Sequence, residues 1–313
     1  MSPALLVLHP RSRRHKSCDA LLRTLAEDFS LDIQESCFAG HTCELVRHHL
    51  KTSTGLIFTA GGDGTLHEAI NAWADSGFPD GVRFVPLPLG TGNDFLHSLD
   101  VRFSKPEHYL QHPLKRLEEL DLGHLSYQHD GSVRSRYFCV GATAGFSALV
   151  TQRRARLANL IPGSMSYLLA LLFSLASWKN REVRIESQEC SFSSDIFFNF
   201  NAANVKYYGG GMISAPRASA FSGSLEAVSM NLTLGQVFRA LPENFRGRFE
   251  RVKNVRQVSL REPFSVECLP PCPVQADGEL LGTTPMSLRC LPKKLPLLLP
   301  TDSRSNLEER SDS

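Results

Sequence analysis

The sequence predicts an α/β N-terminal domain built on a parallel sheet, followed by a β-rich antiparallel C-terminal domain. Three observations lead there. Ala4–Leu8 (ALLVL) and Gly55–Thr59 (GLIFT) are continuous apolar runs, the mark of strands buried on both faces. Segments of helical spacing alternate with such runs, which implies a parallel sheet with helices on both faces. After about residue 119 the pattern changes to many short strand candidates separated by turn residues.

Taken in order, the first strand, Ala4–Leu8, leads through a polar loop to Cys18–Phe29, where Ala20, Leu21, Leu25 and Phe29 recur at helical spacing. Leu31–Cys37 is a short mixed strand and Thr42–Leu50 a helix with Leu45, Val46 and Leu50 on one side. Gly55–Thr59 runs into Ala60-Gly61-Gly62-Asp63-Gly64-Thr65, and Leu66–Ala74 is the next helix. Arg83–Leu87 ends in Pro88-Leu89-Gly90-Thr91-Gly92-Asn93-Asp94. Ligands bind beyond the carboxyl ends of strands in such sheets, so both glycine-rich turns lie where a ligand is expected.

Leu120–Tyr127, Arg136–Val140, Arg181–Glu186, Ile196–Phe200, Leu225–Met230, Asn254–Leu260, Phe264–Cys268 and Ser287–Leu291 read as the short strands of the second domain. One long helix, Ser164 to about Trp178, interrupts them and reads as a buried core helix, because it is apolar on nearly all sides. The domains are expected at 1–119 and 120–291, with 292–300 a candidate to rejoin the first and a disordered polar tail over 301–313. The 313-residue length agrees with two domains at roughly 150 residues each.

Hydrophobic residues at 42% and charged residues at 21% exclude wholesale disorder and fibrous repeats. The balance of 34 basic and 32 acidic residues, +2, argues against a dedicated nucleic-acid binder. Cys268 and Cys272 form one C-x3-C pair without a second, so buried or indifferent thiols are favoured over a zinc site. At the N-terminus the apolar run precedes the charges, the reverse of a secretory leader. The longest greasy stretch, Tyr167–Trp178, falls short of the ~20 residues of a spanning helix. These features read as a cytoplasmic protein with at most a peripheral habit at the inner membrane face; they set no oligomeric state.

Glycines delivered by a strand let backbone N–H groups approach phosphate oxygens, and the following helix aims its positive end at the same place. Asp63 would repel a phosphate directly, but fits with Mg²⁺ between them or as an acceptor for a hydroxyl proton. Gly90-Thr91-Gly92-Asn93-Asp94 repeats the recipe of small residues, a hydroxyl and a carboxylate, and two such turns at neighbouring strand ends favour a nucleotide-phosphate site over mere helix capping. Asp277-Gly278 by itself encodes a hairpin turn.

GGDGTLHEAINAW (Gly61–Trp73) and PLGTGNDF (Pro88–Phe95) resemble the two nucleotide-site motifs of the diacylglycerol kinase catalytic superfamily, which includes sphingosine and ceramide kinases and small bacterial lipid kinases. Phe138–Gly141 with Gly145–Ala148, Tyr207–Met212 with Ala215, Pro216 and Ala218, and Gln275–Glu279 are similar to later family motifs in the same order. GGDGT alone is shared with NAD kinases and phosphofructokinases; the ordered set, spread from about residue 4 to residue 300, is more specific.

The resemblance implies an NAD-kinase/diacylglycerol-kinase-like fold that transfers the ATP γ-phosphoryl group to the hydroxyl of diacylglycerol or a similar lipid alcohol. It implies nucleotide on the α/β domain and lipid in the cleft between domains. Ser36, Gly61, Gly62, Asp63, Gly64, Thr65, His67, Gly90, Thr91 and Asn93 would then contact ATP, with Asp63 holding Mg²⁺. Asp94 would lie near the transferred group, and Asp277 and Glu279 would form a dyad containing the general base. In the sphingosine kinase branch that base matches Asp63. An NAD-kinase-like small-molecule kinase is the alternative, as is a degenerate paralogue that binds lipid or nucleotide without transfer.

The chain departs from the family in several places. His9-Pro10-Arg11-Ser12-Arg13-Arg14 replaces an Asn-Pro loop of small residues, although guanidinium groups pair well with phosphate. Ser36 stands for a threonine and His67 for an asparagine. Ser222 stands where bacterial members carry an aspartate that anchors a structural Mg²⁺, so that second site is expected to be absent or weak. Arg153-Arg154-Ala155-Arg156 and the basic run Arg246–Lys253 are solvated faces by default, and in a lipid kinase could face an anionic membrane.

Overall fold

The computed structural model describes residues 3–157, 164–248 and 251–301. All but the first residue of the tail expected to be disordered lies outside them. The chain forms two compact units, Met1–Leu120 with Lys293–Ser313, and Asp121–Pro292.

The first unit contains β1 (Ala4–Leu8), α1 (Cys18–Asp28), β2 (Leu31–Glu35), α2 (His41–Leu50), β3 (Leu56–Gly61), α3 (Asp63–Asp75), β4 (Arg83–Pro88), α4 (Asp94–Leu99) and α5 (Pro106–Gln111). β2, β1, β3 and β4 lie side by side, each neighbouring pair parallel, with Leu8 opposite Ala60 and Ala60 opposite Leu87. Their inward residues, Leu6, Leu8, Phe58 and Val85, are fully buried with Leu21 and Leu25 of α1. The apolar runs are therefore central strands with helix cover.

α3 begins three residues earlier than the apolar spacing suggests. Gly62 is its N-cap and accepts the N–H of Thr65 (3.0 Å), so Asp63, Gly64 and Thr65 are helix residues. Hydrophobic spacing sees only the core-facing side, and this first turn is polar.

β5 (Leu114–His129) carries the chain into the second unit. There follow β6 (Ser132–Phe138), β7 (Gly141–Gly145), α6 (Phe146–Leu157), α7 (Ser164–Ser177), β8 (Arg181–Ser187), β9 (Ser191–Phe197), β10 (Asn199–Ala203), β11 (Tyr207–Tyr208), β12 (Met212–Ile213), β13 (Leu225–Met230), α8 (Leu234–Phe245), β14 (Val255–Leu260), β15 (Phe264–Leu269) and β16 (Pro273–Ala276). β17 (Glu279–Pro300) returns to the first unit, where Leu297 pairs in parallel with Phe84. The order β14-β13-β10-β7-β16-β17 is antiparallel throughout. The predicted mixed architecture, parallel first and β-rich antiparallel second, is present.

Two expectations for this unit need correction. α7 is not its lone helix, since α6 and α8 flank the same β-rich region; their amphipathic signal is hidden by runs of arginine in α6 and by Pro242 inside α8. Nor is α7 a buried core helix. Ser166, Ala170 and Ser174 are buried, whereas Leu168, Leu172 and Phe173 are 46%, 51% and 55% exposed. Where a helix is apolar all round, composition cannot say which side packs, and here the small residues are on the buried side.

Candidate active site

The carboxyl ends of the parallel strands are tied together by short hydrogen bonds. The N–H of His9 donates to the Ala60 carbonyl (3.0 Å), Ser36 N–H to the Leu8 carbonyl (3.0 Å) and Leu89 N–H to the Gly61 carbonyl (3.2 Å). Ser12, fully buried in the loop after β1, donates its hydroxyl to the Leu89 carbonyl (3.2 Å). Ser36, the arginine loop and both glycine turns thus share one end of the sheet. Arg11, Arg13 and Arg14 are exposed there, Arg13 lying 3.6 Å from Glu35. Ser12 carried no sequence signal: a lone hydroxyl among arginines looks like any loop residue.

The glycines of the two turns divide by what a side chain would meet. A Cβ on Gly90 would lie 2.3 Å from the Cα of Gly62, so the turns cross backbone on backbone. A Cβ on Gly61 would lie 2.2 Å from the Thr65 hydroxyl. The fold itself demands these two glycines. At Gly64 nothing lies within 4 Å, and at Gly92 only an Asp63 oxygen at 3.9 Å does. Gly64, Thr91 and Gly92 are exposed. The first N–H groups of α3 have no intrahelical acceptor, and Gly62 has no side chain to cap them, so open space beside Gly64 adjoins a positive backbone end.

Asp63 joins the turns. One of its oxygens accepts the N–H of Asp94 (2.9 Å) and the other that of Phe95 (3.2 Å), capping α4 from across the site. Asn93 adopts a left-handed conformation (φ 52°) and donates its amide to the Gly90 carbonyl (3.1 Å). Asp94 is buried at the start of α4, and Thr65 is buried in α3. His67 is turned inward, its ring nitrogen 3.3 Å from the Asn71 amide, so the structure sets it in the helix packing and not among the exposed turn groups. Glu68 caps α2 by accepting the N–H groups of Gly40 (3.0 Å) and Thr42 (3.2 Å).

In the second unit, Asp277 and Gly278 link β16 to β17 with φ of 47° and 87°, the two positive values of a type I′ hairpin turn. The Asp277 carboxylate accepts N–H groups from Cys139 (2.8 Å), Val140 (2.9 Å) and Gly141 (3.0 Å), pinning the β6–β7 junction. Glu279 differs: its side chain is 44% exposed, with Arg136 at 3.8 Å. The two carboxylates are neighbours in sequence but sit in unlike surroundings.

The Ser222 hydroxyl donates to the Ser219 carbonyl (2.8 Å) within its loop, and buried Asp121 of β5 accepts the Gly223 N–H (2.6 Å), tying that loop to β5. No cluster of three or more metal-ligating side chains occurs among the described residues. Cys268 and Cys272 are buried, and no cysteine is in a disulfide. No described helix is long and apolar enough to cross a membrane.

Residues 3–125 match the diacylglycerol kinase catalytic domain, and residues 141–299 match the YegS C-terminal NAD kinase beta sandwich-like domain. A diacylglycerol kinase of Mycobacterium tuberculosis is 27% identical over 251 residues, 79% of this chain and 77% of that one. A protein of Pectobacterium atrosepticum named a probable lipid kinase YegS-like is 24% identical over 300 residues, 95% of each. A crystal structure of a diacylglycerol kinase from Bacillus anthracis has the same fold, with a TM-score of 0.64 at 15% identity over 95% of this chain and 96% of that one.

Proposed function

The chain belongs to the lipid kinase family that joins a diacylglycerol kinase catalytic domain to a YegS-type C-terminal domain, and we propose that it transfers the γ-phosphoryl group of ATP to the hydroxyl of diacylglycerol or a similar lipid alcohol. The observation that carries the nucleotide half is Gly64. No protein atom lies near enough to require a glycine there, while the backbone beside it is exposed and electropositive. A phosphate approaching that backbone would use the space a side chain would fill.

In this reading the N–H groups at the start of α3 hold the phosphates, and Arg11 and Arg14 supply positive charge to the triphosphate. Asp63 would hold Mg²⁺: it is the carboxylate at the start of α3 beside the exposed Gly64, and Mg²⁺ is commonly bound by one or two carboxylates plus substrate phosphates. When bound, that ion neutralises charge developing on the β- and γ-phosphate oxygens.

Of the two downstream carboxylates, Glu279 suits the base, because Asp277 already accepts three backbone N–H groups. Glu279 takes the lipid hydroxyl proton as its oxygen bonds to the γ-phosphorus; the bond to the β,γ-bridging oxygen breaks, and ADP leaves with that electron pair. Asp277 is a positioning residue that fixes the turn carrying Glu279. Asp94 would orient the acceptor or the transferred group. Incubation with γ-labelled ATP, Mg²⁺ and either diacylglycerol micelles or NAD tests the reading. Label in a lipid monoester is expected; label in NADP, or in no acceptor of a lipid-alcohol panel, would refute it.

A further inference from the structure

We propose that the outward face of α7, a helix packed against the arginine-bearing α6, is a docking surface for an anionic lipid bilayer. Met165, Leu168 and Leu172 recur at three- and four-residue spacing, Phe173 adjoins Leu172, and all four are about half exposed, while Ser166, Ala170 and Ser174 fill the buried side. A helix meant only to face water carries the opposite arrangement, large apolar residues inward and polar ones outward. Scattered exposed leucines are ordinary, but a stripe of four on one helix marks an interaction surface.

Charge indicates what covers the stripe. Between Asp130 and Glu182 the sequence has no acidic residue, whereas α6, which packs against α7, carries Arg153, Arg154 and Arg156. Arg154 and Arg156 are exposed, and exposed Lys179 follows α7. An apolar stripe on a helix packed against a cation-bearing helix, within a stretch of sequence that has no carboxylate, is the pattern of a helix lying in the plane of a membrane interface. A second copy of this chain would bring the same cations together, so a bilayer is the better complement. At 14 residues α7 is too short to span, which leaves it lying along the surface. The surface rests on α6 and α7 alone and does not depend on the kinase reading.

Sedimentation with phosphatidylcholine vesicles, with and without phosphatidylglycerol, tests it in the absence of nucleotide and diacylglycerol. Binding is expected only to the anionic vesicles, weakened by salt. Leu168→Glu with Phe173→Glu should reduce it by about tenfold or more, and Arg154→Glu with Arg156→Glu likewise. These positions are exposed, so the melting temperature should stay unchanged. Leu172→Trp should be quenched by lipids brominated in their acyl chains. Equal binding to both vesicle types, or variants that bind like the unaltered protein, would overturn the proposal. So would a stripe-dependent dimer in gel filtration, which would give the surface to a second copy. Neither nucleotide nor turnover enters these readouts, so their failure would leave the kinase reading standing.

Discussion

Gly90 and Gly64 lie in the paired turns yet should respond differently to one added methyl. Gly90→Ala forces a Cβ against the facing Gly62 backbone, which cannot yield as a side chain can. We expect it to destabilise the first unit by about 3 kcal/mol or more, read as a lowered urea midpoint. The two downstream carboxylates should also part. Asp277→Asn removes a carboxylate oxygen from a cluster of three N–H groups and should cost about 1–3 kcal/mol of stability along with activity. Glu279→Gln touches a half-exposed side chain, so it should leave the melting temperature within about 2 °C while lowering kcat by about 100-fold or more. A Glu279→Gln enzyme of normal kcat would remove it as the base.

At the scale of elements, the first unit is held by caps that reach across from other elements. Glu68 of α3 caps α2, and Asp63 caps α4. Glu68→Ala should therefore destabilise by about 1–2 kcal/mol although Glu68 lies outside the glycine turns, and thermal unfolding reads this directly. A value near zero would mean that solvent satisfies those N–H groups equally well. The elements themselves were legible where burial is one-sided or complete: ALLVL and GLIFT read as strands because nothing polar interrupts them. Legibility failed where the pattern was uniform. In α7 apolar residues lie on every side, so its exposed face was invisible until packing chose the serines and Ala170 for the inside. Asp63 was legible as important but not as the joint between turns, since the Asp94 and Phe95 N–H groups it binds are set by tertiary approach and not by sequence spacing.

Across the whole molecule, burial pushes the imidazoles of His49, His108 and His124 below their ordinary range. Unfolded, these groups take up protons near pH ~6.5; folded, they resist until lower pH. The unfolded state thus binds more protons below that point, and stability should fall as pH drops from 7 towards 5. Urea midpoints at the two ends of this window should differ, and His49→Gln should flatten part of the slope; an unchanged slope would mean that His49 becomes protonated without loss of packing. The same scale shows why the order of motifs was readable while their chemistry was only partly so. Glycine and aspartate at strand ends are visible in one dimension, but which glycine the fold needs and which it leaves open emerges only when the two turns meet.

Whether triphosphate binds at the open backbone of Gly64, as proposed, is decided by Gly64→Ala. Steady-state transfer to diacylglycerol, measured against ATP concentration with melting temperature followed on the same samples, is the measurement. With triphosphate bound there, the KM for ATP should rise by about tenfold or more, and the fold should be as stable as before or about 0.5 kcal/mol more so, because alanine suits a helix better than glycine. An unchanged KM in an equally stable variant would contradict it.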